Sequence, residues 1–393
     1  MPNLLEVVRN PIAYIAARWT PSPRTVQRAA LTALLMSVLI VVTGGAVRLT
    51  GSGLGCDTWP KCSDDSLTAT SAMGIHGAIE FGNRMMTWVV SAAVGWTIIA
   101  VRSMKPARKG LSRLAWSQFW VVMSNGVVGG ITVWVKLNPF VVAGHFLAAM
   151  ALLTVTTLTW LRTREGEAPP RPLVGSPVRK LTYVLTFFSA CLLIAGTVVT
   201  GAGPHAGDSS DVKRMPVSVE LATQSHAALA WIVVALAVLL YVGLRVMDAP
   251  RGPRSTARNL IIVLLAQGVI GYVQYVTDLP EVLVGVHLLG STLVWIGVLR
   301  VVLSTRERAP LAATAPEPEP GQDTAANAAS AASAASAASA ASAAEPAPAA
   351  EPAPAAEAAP RPAGAPASSA GAPASSAGAP ASSAGAPASS AGR

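Results

Sequence analysis

Long apolar stretches separated by short polar segments run through the first three quarters of the chain. They cover residues 29–48, 72–101, 114–135, 139–161, 180–200, 218–244, 259–277 and 280–303. Each is close to the ~20 residues that an α-helix needs to cross ~30 Å of hydrocarbon. The pattern therefore predicts an all-α integral membrane protein with eight transmembrane helices.

Composition agrees with a membrane protein and excludes two other classes. The 393 residues are 52% hydrophobic and 12% charged, whereas about 25% of the residues in soluble domains are charged. An ordinary soluble domain is therefore excluded. Three cysteines in this length also exclude a small secreted module that is held together by disulfides.

Basic residues alternate between the loops and predict the orientation of the spans. The N-terminal arm and the second, fourth and sixth loops carry 18 Lys and Arg, against 5 in the other loops. Cytoplasmic loops are the ones enriched in Lys and Arg. We therefore expect a multi-pass cell-membrane protein with both termini in the cytoplasm. The net charge of +9 reflects this topology and not nucleic-acid binding.

Both ends of the chain are predicted to lie outside the membrane. Residues 1–28 form a cytoplasmic arm, and residues 305–393 form a tail rich in Ala, Pro, Ser and Gly. After Leu311 the tail contains no Val, Ile, Leu, Met, Phe, Trp or Tyr. Such a segment cannot bury enough apolar surface to offset the entropy of ordering, so we expect a disordered cytoplasmic tail.

The two halves of the chain are related by an internal repeat. Residues 125–149, NGVVGGITVWVKLNPFVVAGHFLAA, align without gaps to residues 267–291, QGVIGYVQYVTDLPEVLVGVHLLGS, and seven of the 25 positions are identical. The offset of 142 residues corresponds to four helices, which keeps both halves in the same orientation. We therefore expect two pseudo-symmetric four-helix bundles, residues 29–161 and 180–304, joined by a cytoplasmic linker over residues 162–179.

Four of the five histidines lie inside predicted spans, one on each even-numbered helix: His76, His145, His226 and His287. All four fall in the outer third of their span. Ionisable side chains in hydrocarbon are rare and usually functional, and a buried imidazole needs a partner for its nitrogens. Haem iron is one partner, and hydrogen bonds between packed helices are the alternative. Four imidazoles at one depth favour haem, and span glycines such as Gly129 and Gly271 fit either a macrocycle or close packing.

Glu80 is the second candidate, in the run HGAIEFGNRMM of the second span. A carboxylate at this depth is costly unless it is paired or protonated. Arg84 lies one helical turn further on and can form an ion pair with it. The functional alternative is a carboxylate that handles protons or positions a substrate beside a haem, with Arg84 contacting a haem propionate.

The outer loops contain the remaining candidates. Cys56 and Cys62, in TGSGLGCDTWPKC, are close enough for a disulfide on the oxidising face. The two cysteines can serve either as a structural disulfide or as a redox-active pair that relays electrons. Cys191, in the fifth span, is expected to be an inert small apolar residue. His205, in TGAGPHAGD, is expected to be exposed, and it either orders its loop or contacts a propionate.

The runs GAVRLTGSGLGCDTWPKC, IEFGNRMM and TGAGPHAGD, together with the histidines of spans 4 and 8, resemble the heme A synthase family over roughly residues 29–303. The resemblance implies two four-helix bundles and an enzyme that converts haem O to haem A by oxidising a ring methyl to a formyl group, for use in cytochrome c oxidase. It implies a haem b cofactor with His226 and His287 as its iron ligands. Haem O is then expected in the N-terminal half, with His145 as an iron ligand.

The remaining site assignments follow from the same resemblance. Glu80 matches the catalytic glutamate of the family, and Cys56 and Cys62 match its outer-loop cysteine pair. The second span departs from the usual Glu-x-x-His, because Asn83 stands where the histidine is expected, and this pattern resembles an actinobacterial subgroup. Either His76 replaces the missing ligand, which we favour slightly although two helical turns span about 10 Å, or His145 is the only ligand. The expected substrate-haem residues are His145, His76, Asn83 and Arg84.

The resemblance also implies partners, and two other classes compete with it. The expected partners are haem O, haem A and membrane lipid, with haem O synthase, cytochrome c oxidase assembly factors, an external electron donor and a second copy of the chain as further candidates. A membrane b-type diheme protein that transfers electrons to or from quinol would also pair histidines, but it would not need Glu80. A duplicated transporter would have helices broken by Gly or Pro near mid-span, and the spans have few internal prolines.

Overall fold

The computed structural model describes residues 9–205, 207–209 and 212–309. The predicted tail from residue 310 onward and the first eight residues of the arm lie outside the described residues. The described chain is almost entirely helical, with a 3₁₀ turn at Ser71–Met73. The helices are α1 (Pro11–Arg18), α2 (Pro23–Leu49), α3 (Gly74–Arg102), α4 (Lys109–Trp134), α5 (Pro139–Arg162), α6 (Ser176–Ala202), α7 (Val219–Val246), α8 (Arg251–Val276) and α9 (Glu281–Ser304).

Seven of these helices are long and apolar enough to cross a membrane: α2, α3, α5, α6, α7, α8 and α9. The expectation of an all-α membrane protein is therefore confirmed. The remaining long helix, α4, contains Gln118 and Asn125 and is not among these seven. Each predicted apolar stretch lies within or close to the bounds of one helix. Several helices extend past the stretch into basic residues, since a helix satisfies its backbone hydrogen bonds beyond the hydrocarbon as well as within it.

Side-chain caps and prolines set where several helices begin. Ser22 accepts a hydrogen bond from the Thr25 N–H at 3.2 Å and precedes Pro23. Asn138 accepts one from the Phe140 N–H at 3.1 Å and precedes Pro139. A capping side chain satisfies one of the N–H groups that a helix start leaves open, and proline is well suited to the first helical position because it has no N–H to satisfy.

The long helices of the described residues pack as two rings of four that also contact each other. Helices α2, α3, α4 and α5 pack side by side in a closed ring, and α6, α7, α8 and α9 do the same. Between the sets, α9 contacts α2 and α5, and α5 also contacts α6. Each set has its own cluster of buried apolar side chains, which includes Val94 and Leu111 in the first set and Leu240 and Val298 in the second.

The repeat seen in the sequence recurs as repeated structure. The turn between α4 and α5 holds Lys136 and Leu137 at positive φ, and the turn between α8 and α9 holds Asp278 and Leu279 in the same conformation, 142 positions later. Residues with a Cβ adopt positive φ only rarely. The same uncommon turn at both places supports the alignment of the two halves.

The linker and the residues after α9 are held together at the end of the molecule that carries the basic loops. Strand β1 (Arg171–Pro172) pairs antiparallel with strand β2 (Arg306–Glu307). Arg108 lies 2.8 Å from Glu167, and Arg162 lies 2.7 Å from Glu165. Residues 305–309, which the sequence assigns to the tail, therefore take part in ordered pairing.

Candidate haem site

The imidazoles of His226 on α7 and His287 on α9 lie next to each other. Their ring centroids are 6.4 Å apart, and the ring planes are inclined by 64°. A metal ion bonded at about 2 Å to one nitrogen of each ring would place the centroids about 6 Å apart. The two imidazoles could therefore hold one metal ion between them.

One of the two rings has a buried nitrogen without a partner. The Nδ1 atom of His287 makes no hydrogen bond to the described residues, whereas the His226 ring is hydrogen-bonded to the backbone of Leu192 on α6. Buried polar atoms without a partner are uncommon, and such groups often mark a missing ion, water or ligand. The Nδ1 atom of His145 is in the same condition.

Glycines on neighbouring helices make room for these rings. A Cβ added at Gly196 of α6 would lie 3.3 Å from Cε1 of His226, and one at Gly271 of α8 would lie 3.5 Å from Cε1 of His287. In the other half, a Cβ at Gly129 of α4 would lie 3.1 Å from Cε1 of His145. Each of these histidines thus lies against a glycine of the preceding long helix.

At the level of the histidines, the four helices of the second set bury few side chains. On α6 no described residue between Ser189 and Gly201 is buried, and on α7 none between Ala222 and Val233. The same holds between Leu264 and Gln274 on α8, and on α9 before Gly290. A close-packed interior would bury apolar side chains at this depth.

These features fit an iron porphyrin better than a closed metal site. Within residues 9–205, 207–209 and 212–309, no three His, Cys, Asp or Glu side chains come together as a cluster that could hold a metal ion. A porphyrin supplies four nitrogens of its own, so the protein needs to add only axial ligands. The neighbouring imidazoles of His226 and His287 meet that need.

Asn83 and His76 take different positions on α3. Asn83 faces α2, where Thr43 Oγ1 donates to its Oδ1 at 2.8 Å and a Cβ at Gly44 would lie 3.9 Å from its Nδ2. His76 is seven residues earlier, and its Nδ1 is hydrogen-bonded to Ser52 Oγ at 2.9 Å in the outer loop. The two side chains therefore have different partners.

Glu80 and Arg84 form the ion pair that the sequence allows. Glu80 is 6% exposed, and its Oε1 accepts from Arg84 Nε at 3.1 Å and from Nη2 at 2.5 Å. Its Oε2 accepts from the backbone N–H of Cys56 at 2.6 Å. Charge-assisted bonds of this length are among the stronger hydrogen bonds in proteins. Glu80 is thus tied to both its own helix and the first outer loop.

Arg84 holds the same loop from the other side. Its Nη1 donates to the carbonyls of Thr58 and Lys61, both at 2.9 Å, and its Nη2 donates to the Cys56 carbonyl at 3.0 Å. Together with the two bonds to Glu80, these contacts use all five donors of a guanidinium group. Arg84 therefore has no donor left for a haem propionate.

The first outer loop covers the ends of α3 and α4. Cys56 and Cys62 form a disulfide and are both 0% exposed. Trp59 packs edge-to-face on Trp134 with ring centroids 5.4 Å apart, and its ring lies against Gly130. Cys191 is a free, partly buried cysteine on α6.

This loop also joins the two halves through contacts that the sequence did not predict. The Gly53 N–H donates to the Gly207 carbonyl at 2.7 Å, and the Leu54 N–H donates to Asp208 Oδ2 at 3.0 Å. Arg48 donates to the carbonyls of His205 and Thr200 at 2.8 and 2.7 Å. The motifs TGSGLGC and TGAGPHAGD thus meet on one face of the molecule. The His205 ring lies 3.7 Å from Glu281, at the start of α9.

The Glu80–Arg84 pair gives the first testable prediction. Replacing Arg84 with Leu should destabilise the folded protein by about 3 kcal/mol, because removing one partner leaves a buried charge unpaired. Thermal melting of the detergent-solubilised protein measures this effect. Adding Glu80→Gln to Arg84→Leu should restore part of the loss, since the buried charge is then gone. An unchanged melting temperature in Arg84→Leu would show that the pair does not stabilise the loop.

Comparison with known proteins gives one family and a set of related sequences. A family model described as cytochrome oxidase assembly protein (COX15-CtaA) matches residues 27–299. A protein named heme A synthase from Exiguobacterium sibiricum is 29% identical over 173 residues, which are 42% of this chain and 56% of the relative. One of the same name from Shewanella oneidensis is 23% identical over 180 residues, 43% of this chain and 53% of the relative.

A longer alignment joins the chain to a third protein of that name. The heme A synthase of Symbiobacterium thermophilum is 28% identical over 266 residues, 62% of this chain and 85% of the relative. In the first two comparisons the chain spans about half the length of the relatives that it matches.

Proposed function

The chain belongs to the family of cytochrome oxidase assembly proteins, and on that premise we propose that it is an oxidoreductase that converts haem O to haem A. The reaction oxidises one ring methyl of haem O to a formyl group. The main support is the neighbouring pair His226 and His287, whose ring spacing suits one metal ion held between them. The direct test is to supply haem O to the purified protein and to look for haem A.

The proposed architecture has eight spans in two four-helix bundles. Helix α4 provides the eighth span, since its 26 residues reach about 39 Å at 1.5 Å per residue, enough to cross the hydrocarbon. It also packs between α3 and α5 as part of the first ring. The domains are then the cytoplasmic arm 1–28, the bundles 29–161 and 180–304, the linker 162–179 and the tail from 305. The protein lies in the cell membrane with both termini in the cytoplasm.

This topology predicts which loops an impermeant reagent can reach in intact cells. A cysteine placed by Lys213→Cys, before α7, should react with a membrane-impermeant maleimide. A cysteine placed by Lys105→Cys, between α3 and α4, should react only after the cells are opened. The second substitution is the matched control for the first. Labelling of position 105 in intact cells would show that the orientation is reversed.

The two halves are proposed to hold two different haems. His226 and His287 would be the axial ligands of a haem b cofactor in the C-terminal half, and His145 would bind the iron of haem O in the N-terminal half. A bound haem supplies the one-electron and dioxygen chemistry that amino-acid side chains cannot. The protein's own task is then to hold the substrate ring, admit protons and keep bulk water out.

Glu80 is proposed as the group that positions the substrate or moves protons. It lies on α3 one turn from Asn83, and each of its oxygens already accepts a hydrogen bond. Converting the methyl to an aldehyde requires two successive hydroxylations, each consuming one dioxygen, two electrons and two protons, and then loss of water from the resulting gem-diol. A carboxylate that exchanges protons beside the ring can serve both hydroxylations. Arg84 is proposed to position Glu80.

Cys56 and Cys62 are proposed to act as a structural clip. Both sulfurs lie in residues that are fully buried, and the loop around them is held by Arg84. Thiol–disulfide exchange requires access of a reductant to a sulfur, and the packed loop blocks such access. The electron donor is then a separate partner outside this loop. Haem O synthase and cytochrome c oxidase assembly factors are the proposed partners for delivery of substrate and removal of product.

A further inference from the structure

We propose that the amide of Asn83 takes the place of a fourth imidazole, so that an iron held by His145 keeps one axial position open to a diatomic gas such as dioxygen. The inference rests on the proposed function, because it takes haem binding at His145 as given. It adds a binding site for a gaseous ligand, on the face of the haem that is opposite His145.

The first support is a pattern that occurs four times along the chain. Three histidines lie against a glycine of the preceding long helix, in the pairs Gly129–His145, Gly196–His226 and Gly271–His287. The first and third pairs are related by the offset of 142 residues. The remaining pair of consecutive helices, α2 and α3, has Gly44 against Asn83. Asn83 therefore occupies the corresponding place in the fourth pair.

The hydrogen bonds of Asn83 fix its amide in that place. Thr43 Oγ1 lies 2.8 Å from Asn83 Oδ1 and 3.2 Å from the Ile40 carbonyl. The hydroxyl therefore anchors the amide oxygen to α2. The described residues give Asn83 Nδ2 no hydrogen-bond acceptor, which leaves its two N–H donors for another partner.

The chemistry of an amide determines whether the Asn83 side chain can bind haem iron. Haem iron takes its protein ligands from His, Cys, Met and Tyr, whereas an amide oxygen suits hard ions such as calcium and magnesium. The amide nitrogen donates hydrogen bonds and has no lone pair to give. An Asn83 side chain therefore leaves the iron five-coordinate. Its free N–H can donate to a small ligand that accepts hydrogen bonds, which favours dioxygen over carbon monoxide.

His76 does not take over the missing place. Its Nδ1 is hydrogen-bonded to Ser52 Oγ at 2.9 Å, and its backbone packs on Gly55 of the outer loop. Seven residues separate it from Asn83, which is about 10 Å along the helix axis. A ligand that is displaced by this distance cannot meet a ring placed between His145 and Asn83.

The test uses carbon monoxide as the probe on the full-length protein, loaded with iron protoporphyrin IX in detergent and reduced. We expect one carbon monoxide per chain, since a haem with two axial imidazoles has no free position. Asn83→His should retain the haem but abolish carbon monoxide uptake, and the ferric high-spin signal should become low-spin. Asn83→Leu should keep carbon monoxide uptake and bind dioxygen more weakly than the wild type. His145→Ala should lose the carbon monoxide site.

Each alternative gives a different result. Loaded wild-type protein that takes up no carbon monoxide would overturn the inference, and uptake that persists in His145→Ala would overturn it too. Carbon monoxide uptake that is higher in His76→Ala than in the wild type would show that His76 is the second iron ligand. This result would also overturn the inference. A protein that binds no haem at all would contradict the proposed function itself, and the inference would fall with it.

Discussion

Replacing either His226 or His287 with Ala is expected to abolish the absorption spectrum of a haem that has two axial imidazoles. The expected effect is complete loss of that signal, because the two rings are 6.4 Å apart across a single site and neither half of the pair can hold a six-coordinate iron alone. Reduced-minus-oxidised absorption of the purified membrane protein measures it. His205→Ala is the matched control, since that imidazole faces Glu281 at the surface and should leave the spectrum unchanged.

A second form of the experiment separates loss of a ligand from loss of the fold. His287→Gly removes the side chain and leaves a gap beside Gly271. Free imidazole added to this variant should restore the spectrum, because it can occupy the vacated axial position. A variant that fails to fold would not be rescued in this way. Alanine variants of both histidines that keep the full spectrum would refute the assignment of the cofactor site.

Glu80→Gln is the other change with a large expected effect. It should lower the rate of haem A formation by about 10²–10⁴-fold, the usual contribution of a positioned acid or base. The amide of Gln keeps an oxygen that can accept the Cys56 N–H now bonded to Glu80, and Arg84 keeps its three bonds to loop carbonyls. The loop should therefore stay folded, although the melting temperature should fall because Arg84 loses its charged partner. The haem b spectrum should therefore be unchanged. Chromatographic separation of extracted haems measures the product.

Glu220→Gln provides the control for Glu80. Glu220 is an exposed carboxylate in the first turn of α7, where it accepts a hydrogen bond from Gln224. The same chemical change there should leave haem A formation at the wild-type rate. Normal haem A formation by Glu80→Gln would show that Glu80 has no role in the reaction. Its role would then be structural, because it holds the outer loop through its contacts with Arg84 and Cys56.

Sequence reasoning predicted the helices well because their signal is local. Stretches of about 20 apolar residues predict spans without knowledge of any partner, and all eight correspond to long helices in the structure. The repeat also followed from sequence, since His145 and His287 align directly. Hydropathy gives the least clear signal for α4, because its sequence contains the polar residues Gln118 and Asn125. Both side chains face other helices and not lipid. Gln118 donates to Thr159 at 2.6 Å, and Asn125 donates to the Ala148 carbonyl at 3.0 Å.

The details of the site depend on contacts between distant parts of the chain. That Arg84 uses all its donors on Glu80 and the outer loop follows from how the loop folds back onto α3, which no local pattern indicates. The contact between Gly53 and Gly207 links residues more than 150 positions apart. One feature of the sequence could have indicated the contact between Gly44 and Asn83. His145, His226 and His287 each have a glycine at a matching place on the helix before them, but only a structure shows which glycine lies against which ring.

The central claim is that this protein oxidises haem O and does not only carry electrons. The most direct measurement is to give the purified full-length protein haem O, dioxygen and a chemical reductant, and to identify the extracted haems by mass spectrometry. The proposed function predicts haem A, with its formyl group, alongside unmodified haem b. Haem b and unchanged haem O, with no hydroxylated or formylated product, would contradict it and would favour a diheme electron-transfer protein.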